Sequence, residues 1–268
     1  MCVIICKRRG LKLPSPDIIE KCFEDNNDGF GLSFTSLGST KVTILKGAMT
    51  LRDAHALIKK VPKPKSKDMI FHFRTATHGK VCPENCHPFP LTDKLHWLKE
   101  LSVLTPVAIA HNGIISVTTE GKKGFQSGGV TTEDTDTQLF IKHFLSGLGT
   151  TLLNKQVGKL IHGFAGGKFA ILTYHGIYTL GDFVEKDGLL FSNLLWDTQT
   201  FYTKESSRMY NQCDFCGRYG ELNLVIPYFY ACRYCHIALG LPTKDFIKLP
   251  YMDDYLPGVE KTRLKGGN

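Results

Sequence analysis

The chain has 268 residues, of which 42% are apolar and 22% charged, with a formal charge of +8. That length can enclose one large core with a small appendage, and the composition excludes a disordered or low-complexity chain. No apolar run approaches the length of a membrane span and the amino terminus lacks the regions of a secretory signal, so the expectation is a soluble, cytoplasmic protein.

The run Val3-Ile4-Ile5-Cys6 reads as a buried strand at the very start of the chain. In "SPDIIEKCFEDN", Ser15 stands at an N-cap and Pro16 at the first helical position, with Ile18, Ile19, Cys22 and Phe23 on one face. "DGFGLSFT" and "TKVTILKG" read as two strands, and "TLRDAHALIKKV" as a helix that turns Leu51, Ala54, Leu57, Ile58 and Val61 inward until Pro62 ends it. "DMIFHFRTA" alternates, with Met69, Phe71 and Phe73 on one side and Ile70, His72 and Arg74 on the other. Further on, "TDKLHWLKEL" predicts a helix, "VAIAHNGII" a strand broken at its polar centre, and "TDTQLFIKHFLSGL" a long helix. "KQVGKLIHGF" predicts another helix, and strands follow in "GKFAILTYHGIYTLGDF" and "GLLFSN".

Strand runs alternate with helix pairs without a regular β-α-β beat. This favours an α+β fold of stacked antiparallel sheets with helices outside. From about Lys204 the texture turns polar, which divides the chain into residues 1–203 and 204–268. The lysines are scattered apart from "VPKPKSKD" and the tail "KTRLKGGN", and solvated loops account for both more simply than a polyanionic partner does.

Cys2 follows a methionine of the kind that aminopeptidases remove before small residues. Removal would leave a thiol and a free α-amine on one residue. With ordinary pKa values of roughly 7.7 to 8.0 for the amine and about 8.5 for the thiol, the amine can serve as base for its own nucleophile. Taken alone, Cys2 reads equally as a small apolar core residue.

Further motifs change that balance. "FHFRTATHG", "ENCHPF", "AIAHNGII" and "EDTDTQLF" follow in that order, and with the leading cysteine they resemble the glutaminase domain of class II glutamine amidotransferases, members of the N-terminal nucleophile hydrolase superfamily. "DGFGLSF" and "KGAMT" look like matching segments of free-standing members, and the resemblance spans about residues 2 to 200. It implies a four-layer α/β/β/α sandwich and cysteine-dependent hydrolysis of glutamine through a γ-glutamyl thioester. By the same resemblance Arg74 holds the substrate carboxylate with Thr77 and His78, Asp136 receives the α-ammonium, and Asn112 with Gly113 forms the oxyanion hole. Singly, Arg74 also reads as an ion-pair partner, Asp136 as a helix cap and Asn112-Gly113 as a hairpin turn. Val3 stands where many relatives have glycine and Thr75 where several have tryptophan. Cys82, Cys86 and His87 in "KVCPENCHPF" are three candidates in a proline-bearing loop, too few for a closed metal site.

Nine cysteines are an odd number, and four of them form "CDFC" and "CRYC". Cys213, Cys216, Cys232 and Cys235 thus predict a tetrahedral, structural zinc site of the ribbon kind, with a small hairpin between the two pairs. His236 is an alternative fourth ligand, and a redox dithiol lacks a thioredoxin-like context. Arg218, Tyr219, Tyr228, Tyr230, Arg233 and Tyr234 suit either docking on the main domain or nucleic acid.

Class II enzymes normally hand ammonia to a synthetase or transferase domain. The about sixty residues after the boundary cannot house one, so a separate partner protein is expected to hold the acceptor. Two other readings remain: an amidase for another small γ-glutamyl or amide substrate, and a nucleic-acid-binding or scaffold protein built on an inactive glutaminase fold.

Overall fold

The structure, a computed structural model, describes residues 1–36, 38–115 and 133–197, and the backbone of 222–226 and 229–232. The chain divides into two compact units, Met1–Phe125 with Gly129–Ser206, and Gln126–Gly128 with Ser207–Asn268.

In the larger unit, β1 (Val3–Lys7), β2 (Phe30–Thr35), β3 (Val42–Ala48), β4 (Met69–Phe73), β6 (Ser102–Thr105), β10 (Val184–Lys186) and β11 (Leu189–Phe191) form a seven-stranded sheet in the order β10-β11-β1-β4-β2-β3-β6. A second sheet of four strands runs β5 (Phe89–Pro90), β7 (Val107–Asn112), β8 (Lys168–Thr173), β9 (Gly176–Leu180). Every neighbouring pair in both sheets is antiparallel. This agrees with the α+β, two-sheet expectation.

Alternation along the strands builds three apolar clusters. Val3, Ile5, Leu32 and Phe71 pack with Ile19, Cys22 and Phe23 of α1 (Pro16–Asp25) and Ala54 of α2 (Leu51–Lys59). Their neighbours Ile4, Cys6 and Ile70 pack with Ala108, Ala110, Ala170 and Leu172 of the smaller sheet. The remaining cluster joins Ile109, Phe169 and Ile171 to Phe140 of α4 (Asp136–Phe140) and Ile161 of α6 (Lys155–Ala165). The first strand is thus buried on both faces, which is why it reads as a continuous apolar run rather than an alternating one.

The Ser15 cap is as expected from the sequence, whereas α4 is capped by Thr135 and not by Asp136. Ser15 Oγ accepts from Ile18 N–H with Pro16 at the first position, and Thr50 caps α2. Thr135 and Gln138 form a reciprocal capping box that starts α4. The long helix expected there is not uniform: it passes through a π turn at Ile141–Leu145 into a short α5 (Ser146–Leu148). "TDKLHWLKEL" yields only α3 (Leu95–Lys99), because the chain then extends into β6 and pairs with β3.

In the smaller unit, β12 (Leu222–Ile226) and β13 (Phe229–Cys232) pair as an antiparallel ribbon. Cys213, Cys216 and Cys235 lie outside the described residues, and Cys232 is described only in its backbone.

Candidate active site

Strand register brings Cys2 to the middle of the site. Val3 lies opposite Phe73, so Cys2 meets the residues just past β4. Thr75 N–H donates to Cys2 Sγ at 3.3 Å, and the thiol donates to Thr75 O at the same distance. The terminus is fixed from the other side by the two residues after β11. Asn193 Nδ2 donates to Cys2 O at 2.8 Å, while Ile4 N–H donates to Ser192 Oγ and Ser192 N–H to Ile4 O, both at 2.9 Å. Burial pushes the Cys2 thiol up, opposed by the Thr75 N–H bond and by Arg74, while Asp136 adds to the rise. Exposed Met1 still precedes it, so the Cys2 nitrogen is here a peptide amide.

One cavity is lined by Cys2, Arg74, Thr77, His78, Gly113 and Asp136, together with Thr75, His87, His111, Thr135 and Thr137. It offers about 20 Å³ to the centre of a water molecule, room for roughly one water. Asn112, predicted beside Gly113, does not line it.

Arg74 is 2% exposed and turned toward its own loop: Nη1 donates to Lys80 O at 2.9 Å, and Nη2 donates to His78 O at 2.9 Å and to Gly79 O at 3.5 Å. It lies one residue beyond the end of β4, not within the strand as its alternation predicted. The guanidinium thereby holds the loop that carries Thr77 and His78. Asp136 accepts Ile115 N–H on Oδ2 and Thr137 N–H on Oδ1, each at 2.7 Å. These bonds fix the carboxylate at the first turn of α4.

Asn112 ends β7, and its Nδ2 donates to Ser192 Oγ at 2.9 Å while Oδ1 is buried without a partner. Turning the amide over would let the Ser192 hydroxyl donate to Oδ1 and would bring the NH₂ to the position of that orphaned oxygen. Gly113 is required by crowding, since a Cβ there would lie 2.7 Å from Gly167 Cα and 2.8 Å from His111 Nε2.

A wall of buried imidazoles backs the cavity. His72 and His87 stack with ring centres 4.2 Å apart, His72 Nε2 lies 3.0 Å from His111 O, and His111 Nδ1 lies 3.2 Å from Thr137 Oγ1. Burial drives His72 to about 3 and His111 to about 4, and His87 well below its ordinary value, so the wall is uncharged at neutral pH. Both His87 ring nitrogens are buried without a hydrogen-bond partner on a residue that lines the cavity. Behind it, Lys46 Nζ donates to Glu84 O and Leu98 O at 2.7 Å and lies 4.1 Å from the Phe89 ring centre. Burial lowers this lysine to about 7. Gly31 admits the same loop, because a Cβ there would meet His87 O at 2.2 Å.

Sequence reasoning did not assign Ser192, Asn193, His72, His111 or Lys46 to the site. The "SN" at the end of "GLLFSN" and the polar residues His72 and Lys46 inside otherwise apolar strands were the available signs.

No curated protein matches the chain. The family model for class II glutamine amidotransferases matches residues 19–165, more than half of the chain. That stretch contains Arg74, Thr77, His78, Asn112, Gly113 and Asp136, and Cys2 precedes it. With its two antiparallel sheets and this match, the chain belongs to the class II glutamine amidotransferases.

Proposed function

We propose that the chain, once Met1 is removed, hydrolyses L-glutamine to glutamate and ammonia with Cys2 as nucleophile, and passes the ammonia to an acceptor on a separate synthetase or transferase subunit. The supporting observation is the shared lining of one partly open cavity by Cys2, Arg74 and Asp136, a thiol together with a cation and an anion. A zwitterionic amino acid needs both charges met, and a buried unpaired charge is costly. The α-carboxylate binds Arg74, with Thr77 and His78 beside it, and the α-ammonium binds Asp136.

The freed Cys2 amine takes the thiol proton as sulfur attacks the side-chain carbonyl carbon. Negative charge then develops on the amide oxygen, where Gly113 N–H donates; the Asn112 NH₂ joins it once the wall opens and the amide turns over, with the Ser192 hydroxyl donating to Oδ1. The tetrahedral centre collapses with C–N cleavage, and the amine returns the proton to the departing nitrogen, which leaves as ammonia. Water adds to the thioester, the amine accepts its proton, and C–S cleavage releases glutamate and restores the thiol. The uncharged imidazole wall keeps Arg74 as the cation of the lining that the carboxylate can meet. The clusters on the two faces of the seven-stranded sheet and beyond the smaller one support a four-layer α/β/β/α sandwich. A cytoplasmic location suits thiol chemistry.

The test of substrate class is direct. Glutamine should exceed N-acetylglutamine and glutamine α-amide in kcat/KM by on the order of 10³-fold or more, because each analogue leaves Asp136 or Arg74 facing a group that cannot pair. Comparable rates for capped and free glutamine would favour a different amide substrate.

We also propose that Cys213, Cys216, Cys232 and Cys235 hold one structural zinc, supported by the β12–β13 ribbon between the two cysteine pairs. Elemental analysis of the purified chain should find about one zinc per chain. Cys213→Ser with Cys216→Ser should lose it, and metal retained by that variant would refute the assignment.

A further inference from the structure

Two basic stretches that the sequence keeps apart meet at one end of β1. Lys7 Nζ donates to Pro64 O and Lys67 O at 2.8 Å and to Arg8 O at 3.3 Å, spanning 57 residues of chain to reach Pro64. Three carbonyl oxygens converge on this nitrogen, whose pKa burial lowers and the nearby Asp68 carboxylate raises. Gly10 N–H donates to Lys65 O at 2.7 Å, and Lys67 Nζ donates to Thr35 O at 2.8 Å. The turn carrying Arg8 and Arg9 is therefore pinned to the segment carrying Lys63 and Lys65.

Between them lies a shallow, open depression lined by Arg9, Gly10, Lys63, Pro64, Lys65 and Ser66, its wall made mostly of apolar atoms of these residues. No acidic and no aromatic side chain is among the lining residues. The neighbouring carboxylate, Asp68, is already occupied by Arg9, whose N–H and Nε donate at 2.8 Å and whose Nη2 donates at 2.6 Å. Arg8, Lys63 and Lys65 are exposed, whereas Lys7 and Lys67 are buried beneath them. Lys63 holds a left-handed backbone at φ 47°, a conformation that lysine seldom adopts.

We propose that this concavity binds closely spaced phosphates, as carried by a nucleic-acid backbone or a free oligophosphate. Exposed cations supply the contacts, on segments that Lys7 pins together from beneath. Without an aromatic platform the surface recognises phosphate and not base, so binding is independent of sequence. A single-carboxylate ligand would leave most of these cations unused.

The experiment uses the full chain and fluorescence anisotropy with a labelled 20-base-pair duplex, a labelled single strand, and tripolyphosphate and poly-glutamate as competitors. Lys63→Glu with Lys65→Glu is compared with Lys41→Glu with Lys155→Glu, which changes net charge equally at exposed sites elsewhere. Thermal melts check that both variants fold. The first pair should weaken binding at least about 10-fold at 100 mM salt and reduce the log–log salt slope by about two, while the second stays within about 2-fold. A duplex or single strand that binds, yet resists tripolyphosphate, identifies a backbone ligand. Tight binding of tripolyphosphate alone identifies a free oligophosphate, and either supports the site if Lys63 and Lys65 control it. Equal losses in both variants, competition by poly-glutamate as strong as by tripolyphosphate, or no phosphate ligand bound at 50 mM salt would overturn it.

Discussion

Replacing Cys2 with alanine is expected to lower glutamine turnover by at least about 10⁴-fold while the chain still folds. The sulfur's described bonds are to the backbone of Thr75 alone, and the strand behind it is held by Ser192, Asn193 and the β1–β4 register, none of which needs the thiol. The stability cost should accordingly stay near 1 kcal/mol. A chain that keeps Met1 should be as inactive as Cys2→Ala, because a peptide nitrogen cannot take a proton from the thiol. Glutamate release is measured on chains whose amino terminus is read by intact mass, before and after a glutamine-mimicking electrophile. One covalent adduct on the processed chain, absent in Cys2→Ala, is the expected result. Turnover or labelling that survives in Cys2→Ala would refute the nucleophile.

The sequence announced this residue only in company. Cys2 alone reads as a core thiol, and its neighbours in space, Arg74 and Asp136, lie beyond any local pattern. They became legible through the motifs that carry the family resemblance, and in the fold Arg74 follows β4, Asn112 ends β7 and Asp136 stands in the first turn of α4. Strand ends and helix starts carry strong signals, alternation for the one and a capping box for the other.

Elements without such signals were missed. β6 has exposed Ser102 and Leu104, and its pairing with β3 is long-range. β5 is two residues long and contains a proline, and β10 is three residues long. The braces of the site were hidden for a similar reason. Ser192, Asn193 and Lys46 act through long-range contacts, and their only local signs are a polar pair after an apolar strand and a lysine within one. The basic surface failed differently, since "VPKPKSKD" reads as a solvated loop and Lys7, Arg8 and Arg9 lie at the end of an apolar strand far from it in sequence. What joins them is a buried lysine side chain crossing between segments, which no composition window detects.

The imidazole wall should make the fold acid-labile in a defined window. His72, His87 and His111 are all depressed by burial, the first to about 3 and the last to about 4, against an ordinary value of 6.5. Between about pH 4 and 6.5 the unfolded chain therefore binds protons that the folded chain refuses. Stability is fully present above pH 6.5, falls as pH drops through it, and stops falling from this cause once the folded values are passed. At pH 5 each histidine should cost about 2 kcal/mol, and the slope between pH 5 and 6 should approach three protons, about 4 kcal/mol per pH unit. Urea unfolding at half-unit steps from pH 7.5 to 5 measures that slope above the range where most carboxylates titrate. His72→Gln, which can keep the donor to His111 O, should reduce it by close to one proton. A stability that is flat from pH 7 to 5, or a slope unchanged by His72→Gln, would mean that the wall is charged or open to water in solution. Arg74 would then share the cavity with further positive charge, and the assignment of the carboxylate to Arg74 would lose its basis.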